Sequence, residues 1–481
     1  MRRSVTYACR GAAVGLLWSV FQLLLETWQS ANGPIGRLLE AFSRIVPLRA
    51  QNWALGTAEV WTKGIALVMV LAACAAIAGL VAAVAARAAA SRAWVVVGFA
   101  GAVTLWQGLS GATLSSIGSA LASGALLLAG LLVATEPFDT AFSPGRRRLL
   151  RGALGAALLA AVAVTGRYVV ALRERSRAPA AVDERGLPPA LTPIGDFYVV
   201  SKNFSDPEVS LNDWRLRVDG RVKRRLELDM GALRARSAIR QIVTLECISN
   251  EIWGPYISTG EWIGVPLREL LLEAEPQEPV VDVVFHAADG YSDSIPLAVA
   301  LEPAVLLAYG LNGETLPREH GFPLRLVVPG IYGMKNVKWI TAVELSPVDY
   351  QGFWQQRGWS DLAVVQIHSR IDVPRGGASV QVGRDVFVGG IAFAGDRGIA
   401  RVELSTDGGR HWQEVEQEAP LSPYSWVRWW TVWQPPEPGR YQLVVRAWDG
   451  RGNLQDGEDR AALPNGATGW HRVTVEARTP E

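Results

Sequence analysis

The run Thr244-Leu245-Glu246-Cys247-Ile248-Ser249-Asn250 contains the only cysteine after residue 171. One thiol cannot close a disulfide within residues 172–481, so composition leaves a buried structural thiol, a metal ligand or a nucleophile. Working outward, Glu261-Trp262-Ile263-Gly264-Val265-Pro266-Leu267 follows shortly after. A second block reads His320-Gly321-Phe322-Pro323-Leu324-Arg325-Leu326-Val327-Val328-Pro329-Gly330 and continues Tyr332-Gly333-Met334-Lys335-Asn336-Val337-Lys338-Trp339. Around these blocks, strand-like runs at 214–218, 238–243, 280–285, 324–328 and 340–345 alternate with helix-like runs at 266–274 and 297–301. That pattern predicts a mixed α+β domain over 191–365. Beyond it, short β-rich runs separated by turn signals such as Asp407-Gly408-Gly409 and Asp449-Gly450 predict an immunoglobulin-like β-sandwich over 366–481. Its seven tryptophans read as packing. Residues 172–190 mix charge, Ala and Pro and read as a linker.

The N-terminal part has a different chemistry. Residues 1–171 hold 14 Lys and Arg against 5 Asp and Glu, a net +9, whereas the remainder holds 33 against 41, a net −8. The mean hydropathy of +0.15 is concentrated in that basic part. Apolar runs at 11–25, 64–86, 93–107, 114–133 and 149–170 suit about five transmembrane helices, at roughly 20 residues per span. Residues 1–171 are therefore expected to form an α-helical membrane domain, with Cys9 and Cys74 as apolar packing. Arginines before the first run, between the second and third, and at 146–148 and 151 put the N-terminus in the cytoplasm and residues 172–481 outside it. Basic charge held in a membrane domain argues against nucleic-acid binding. All five histidines lie beyond residue 280, so the membrane part has no imidazole pair for haem, and no Cys-x-x-Cys-His run occurs.

The blocks around Cys247 and His320 resemble the sulfite oxidase family of molybdopterin enzymes in order and spacing. The C-terminal run Leu404-Ser405-Thr406-Asp407-Gly408-Gly409-Arg410-His411-Trp412 is similar to that family's immunoglobulin-like domain. The resemblance implies Mo-molybdopterin as cofactor, no haem, and Cys247 as the molybdenum ligand, a role that suits a soft thiolate. It further implies cofactor contacts at Tyr198, Lys202, Asn203, Asp289, His320, Arg325, Asn336, Val337 and Lys338, and an active-site tyrosine at Tyr350. The family carries Arg-Asn-His where this chain has Lys202-Asn203-Phe204. Lysine keeps the charge there but loses the bidentate fork. The expected activity is oxygen-atom transfer on a small anionic or oxide substrate, by a membrane-anchored extracytoplasmic oxidoreductase passing electrons to an external carrier, a cytochrome or a membrane quinone partner. A homodimer is a further expectation. Reduction of methionine sulfoxide or other S- or N-oxides is the alternative within the class, and a metal-free membrane receptor is the alternative outside it. Arg146-Arg147-Arg148-Leu149-Leu150-Arg151 ahead of an Ala- and Gly-rich run resembles a twin-arginine export signal, which carries folded domains with their cofactor in place.

Overall fold

The computed structural model describes residues 182–203 and 206–479, with residues 76, 77, 80 and 81. The expected membrane domain, its five spans and the arginine cluster at 146–151 lie outside the described residues. Among the described residues, no helix is long and apolar enough to cross a membrane.

Two sheets build the first domain. The first is five-stranded. It runs β2 (Leu226–Leu228), β1 (Leu216–Gly220), β10 (Ile340–Ser346), β5 (Asp282–Ala287), β6 (Ser292–Pro296), with β1 parallel to β10 and the other pairs antiparallel. The second runs β3 (Ile239–Glu246), β4 (Ile257–Pro266), β7 (Leu306–Leu311), β8 (Glu314–Thr315), with β9 (Arg325–Val327) also on β7. Helices are short: α1 (Met230–Arg234), α2 (Leu267–Ala274) and α3 (Leu297–Ala300). Asp229 caps α1, its carboxylate accepting from the Ala232 N–H at 2.7 Å. The inner face of α2, Leu267, Leu270, Leu271 and Ala274, packs into a core with Leu216, Val218, Phe285, Val343 and Leu345. The mixed domain is β-rich, its three short helices set among two sheets. Both helix-like runs are helical, but strands β4, β6 and β7 were not anticipated. Strands β4 and β7 are buried along nearly their whole length and show no period-2 alternation.

The second domain is a β-sandwich. One sheet runs β11 (His368–Val373), β13 (Val386–Phe393), β17 (Val427–Trp433), β16 (Glu416–Gln417). The other runs β12 (Ser379–Gln381), β19 (Arg472–Arg478), β18 (Gly439–Asp449), β14 (Ile399–Ser405), β15 (Gln413–Glu414). Val388, Ala392 and Trp429 of the first meet Val402, Leu443, Val445 and Val475 of the second in one core. Trp426 and Trp429 are buried, whereas Trp412 and Trp470 flank the Arg446 guanidinium at 3.9 and 5.4 Å. Residues 183–190, the end of the stretch read as a linker, are pinned to this sandwich. Leu187 is fully buried, Asp183 pairs with Arg428 at 2.9 Å, and Trp426 Nε1 donates to Ala190 O at 3.1 Å.

The outer edge of β3 is held by the sandwich. Thr244 N–H donates to Tyr424 O at 2.9 Å, Trp426 N–H donates to Thr244 Oγ1 at 2.8 Å, and Ser422 Oγ donates to Ile242 O at 2.5 Å.

One half-buried histidine, His471, gives this region a pH dependence. His471 Nδ1 accepts the Ile371 N–H at 2.9 Å, which requires that nitrogen unprotonated. Burial, with the neighbouring His368 and Arg370, pulls its pKa from 6.5 to about 4. The folded state therefore binds fewer protons than the unfolded chain between these values. Stability is fully present above pH 6.5 and falls by on the order of 2–3 kcal/mol as the pH drops towards 4. Urea midpoints measured across that window check this. His471→Asn, which keeps an acceptor but does not titrate, flattens the slope, and an unchanged slope contradicts the assignment.

Candidate active site

Cys247 lies directly after β3, at the start of a connection to β4 whose ends are tied together. The Glu246–Ile257 pair closes the ladder, Cys247 N–H donates to Tyr256 O at 2.9 Å, and Asn250 N–H donates back to Cys247 O at 2.9 Å. Asn250 Oδ1 accepts the Tyr256 N–H and its Nδ2 donates to Glu246 Oε1, both at 2.9 Å. Gly254 is required here because any side chain would strike Asn250 Oδ1. The thiol is buried, with Sγ 3.1 Å from Ser249 Oγ.

Three tyrosines feel the charge of this thiol. Burial pushes the Tyr198, Tyr291 and Tyr332 hydroxyls well above the ordinary phenol range. Negative charge at Cys247 adds to that push in all three, after the larger effects of Asp293 on Tyr291 and Glu246 on Tyr332. They stay protonated near neutral pH. Tyr198 N–H donates to Ser258 Oγ at 3.0 Å, and its hydroxyl rests on Gly333, where a Cβ would come within 2.5 Å of it and 3.3 Å of Glu246 O. Gly333 thus brings the 332–338 turn against the cysteine strand. Tyr291 Oη donates to Asp293 Oδ2 and Met334 O, both at 2.9 Å. Asp293 in turn pairs with buried Lys335 at 3.1 Å.

Arg325, on β9, is buried and still cationic, its pKa lowered by burial to about 10. It donates to His320 O at 3.0 Å and Asn336 O at 3.2 Å and faces the Trp262 ring at 4.9 Å. Its Nε has no hydrogen-bond partner, and no carboxylate among the described residues pairs with it. A buried cation without a counter-ion is costly, and an anionic group bound beside it would remove that cost. Tyr198 feels both this cation and Cys247. His320 is neutral, its pKa lowered to about 3 by burial and then by Arg325 and Lys338. Lys338 donates to Glu319 O at 2.9 Å and Val200 O at 3.3 Å and lies 4.3 Å from the Trp339 ring. Two backbone features bring these cations together. Gly321, at φ +113°, leaves room for the stems of Arg325 and Lys338, either of which a Cβ there would approach to about 3 Å. Trp339 is held at φ +53°, a strained value for a bulky residue, by bonds from its Nε1 to Arg318 O and from Ala288 N–H to its carbonyl.

The remaining expected residues take varied positions. Asn336 turns inward, its Oδ1 accepting from Val328 N–H at 2.7 Å and its Nδ2 donating to Ile331 O and Tyr332 O. Val337 is buried, and its carbonyl accepts the Leu326 N–H. Both support the turn rather than presenting side chains. Lys202 pairs with Asp289, 3.4 Å to Oδ2 and 3.2 Å to its carbonyl, at the tip of the β5–β6 hairpin. Asn203 is buried. Tyr350 Oη bonds Ser292 Oγ at 2.7 Å, and its N–H donates to Asp282 Oδ2 at 2.8 Å, which lays it along β6. Sequence reasoning missed Tyr291 and Tyr332, although Tyr332 stood in a quoted block and Tyr291 follows Asp289-Gly290. It also passed over Glu246, Asp293 and Lys335.

Residues 203–354 match the family described as oxidoreductase molybdopterin binding domain, and residues 361–478 match the Mo-co oxidoreductase dimerisation domain. The chain belongs to the sulfite oxidase family of molybdenum-dependent oxidoreductases. It is 34% identical over 334 residues to the sulfite oxidase of Gallus gallus, an overlap of 59% of this chain and 72% of that protein. It is 32% identical to the mitochondrial sulfite oxidase of Rattus norvegicus, over 56% of this chain and 59% of that one. The chain thus spans less than two thirds of that rat relative. The fold is similar to that of the sulfane dehydrogenase SoxCD from Paracoccus pantotrophus, with a TM-score of 0.53 and 24% identity over 60% of this chain and 82% of that chain. Family membership implies Mo-molybdopterin as the cofactor. The residues present fit it: a thiol able to ligate a soft metal and a buried arginine in want of an anion.

Proposed function

We propose that this protein is a membrane-anchored, extracytoplasmic molybdopterin oxidoreductase that transfers an oxygen atom, as a sulfite oxidase does. The observation that carries the reading is a buried thiol, Cys247, fixed by the β3–β4 connection, in one domain with a buried arginine, Arg325, that no carboxylate among the described residues pairs with. When bound, the cofactor supplies a two-electron oxygen-atom-transfer centre. Cys247 would ligate its metal, the β3–β4 connection fixing the direction of the thiolate. Arg325 and Lys338 would hold the anionic pterin, and neutral His320 would add no competing charge. Tyr198 and Tyr332 stay protonated and are suited to donate hydrogen bonds rather than to serve as bases, whereas the Tyr291 proton is already committed to Asp293 and Met334. Electrons would pass to an external carrier, a cytochrome or a membrane quinone partner, and the dimerisation-type domain supports a homodimer. Molybdenum analysis of the purified protein separates the enzyme from the metal-free receptor. Turnover with sulfite is the expected result, and a metal-replete protein inert to sulfite overturns the substrate assignment.

A second reading, reduction of methionine sulfoxide or other S- or N-oxides, is favoured by the state of Lys202. Its side chain is buried and its charge is spent on Asp289, which leaves less attraction for an anionic substrate. Turnover of sulfoxides in place of sulfite selects it.

Membrane anchorage rests on the apolar runs and the arginine distribution in residues 1–171. Arg146→Lys with Arg147→Lys preserves charge, so a plain topology signal is unaffected by it, whereas a twin-arginine signal fails. The expected result is a catalytic domain protected from external protease. Normal accessibility would leave only the topology role.

A further inference from the structure

The connection that carries Cys247 is gripped from behind by one strand of the second domain. His368, at the start of β11, places Nδ1 2.9 Å from Glu246 Oε1, the residue before the cysteine. Arg370, two residues on and on the same face, donates from Nη1 to Gly254 O at 2.6 Å, near the far end of the connection. Both side chains are almost wholly buried, as is Glu246. Glu246 Oε1 also receives Asn250 Nδ2, and Asn250 Oδ1 receives the Tyr256 N–H, whose residue's carbonyl accepts from Cys247 N–H. A continuous chain of bonds therefore runs from β11 through Glu246 and Asn250 to the cysteine backbone. A second bond clamps the loop beside it. Glu246 Oε2 and His368 Nε2 are buried without partners. A buried pair that leaves two polar atoms unsatisfied adds little to stability.

The geometry points to His368 and Arg370 as positioning residues for the metal ligand: strand β11 sets the direction of the Cys247 thiolate through Glu246 and Gly254. The inference rests on Cys247 being the molybdenum ligand. It gives the second domain a part in the active site separate from subunit pairing. Neither residue touches the cofactor. Their removal should loosen the ligand without emptying the site, as loss of groups that orient a metal ligand does.

The experiment uses full-length enzyme loaded with cofactor. His368→Ala and Arg370→Gln should each lower kcat about tenfold at unchanged KM. They should also change the anisotropy of the electron paramagnetic resonance spectrum of half-reduced enzyme, while molybdenum content and melting temperature stay near wild type. Site-resolved alkylation of Cys247 in the full chain made without cofactor should speed up by about tenfold, the change in local opening that loss of one charged hydrogen bond permits. Glu246→Gln keeps an oxygen for both His368 and Asn250 and should hold spectrum and kcat within about twofold of wild type. Wild-type spectra, kcat and alkylation rates in both variants overturn the proposal. So does failure of both to fold, because a positioning role leaves the fold standing. If only His368→Ala fails to fold, Arg370→Gln decides by the same readouts. Cys247→Ser is run alongside. If it keeps molybdenum with an unchanged spectrum, the ligand assignment itself is wrong. If it loses turnover with a changed spectrum or lost metal while the β11 variants behave as wild type, only the present inference fails.

Discussion

Cys247→Ser should abolish turnover and change the spectrum of the half-reduced enzyme while leaving the β-sheets intact. The connection around residue 247 is held by main-chain bonds and by Asn250, none of which uses the thiol, so the loop survives the substitution. Serine is nearly isosteric and replaces the Sγ–Ser249 contact with an ordinary hydroxyl pair. What it cannot supply is a soft anionic ligand, since its hydroxyl is hard and stays protonated at neutral pH. Turnover and that spectrum, together with circular dichroism, make the test. Normal turnover, or an unchanged electron paramagnetic resonance spectrum, removes the cysteine from its proposed role.

Replacing Arg325 and Lys338 together with Ala should yield protein with little bound pterin. Each cation is expected to contribute about 1.5–3 kcal/mol through charge-assisted hydrogen bonds. The pair therefore accounts for roughly two to four orders of magnitude in affinity. The single Arg325→Ala variant is informative because that buried guanidinium lacks a counter-ion in the free protein. Removing it relieves an unpaired buried charge, so the apoprotein should lose less stability than the burial of the side chain suggests. Pterin released by acid and quantified by fluorescence measures the effect. Full occupancy in the double variant contradicts the assignment.

The parts of the site that the sequence displayed are those written in contiguous runs. Cys247 stood out as a lone thiol, and the 320–339 block carries Arg325, Lys338 and the glycine that brings them together. Helix α2 was readable as a helix-like run, and the sandwich as short β-rich runs between turn signals. Strand β4 was not, although Trp262 lay in a quoted motif, because burial on both sides erases the alternation that marks a strand. Strand β7, Leu306–Leu311, was missed for the same reason. The Glu246–His368 contact spans 122 positions and leaves no local trace. Asn336 shows the converse limit, since a motif position can be kept for the turn it builds rather than for a side chain it presents.

The grip of the sandwich on the outer side of β3 also bears on handling the protein in pieces. A chain cut near residue 360 keeps every residue of the molybdopterin-binding match but loses Ser422, Tyr424 and Trp426. That uncovers an eight-residue strand at the margin of its sheet, with Val243 and Leu245 on it and bare main-chain donors and acceptors. An uncapped strand of that length is a template for pairing with its own kind. Such a fragment would be expected to self-associate through β3, so catalytic-domain fragments are better designed with the sandwich retained or with a charged residue introduced along that margin.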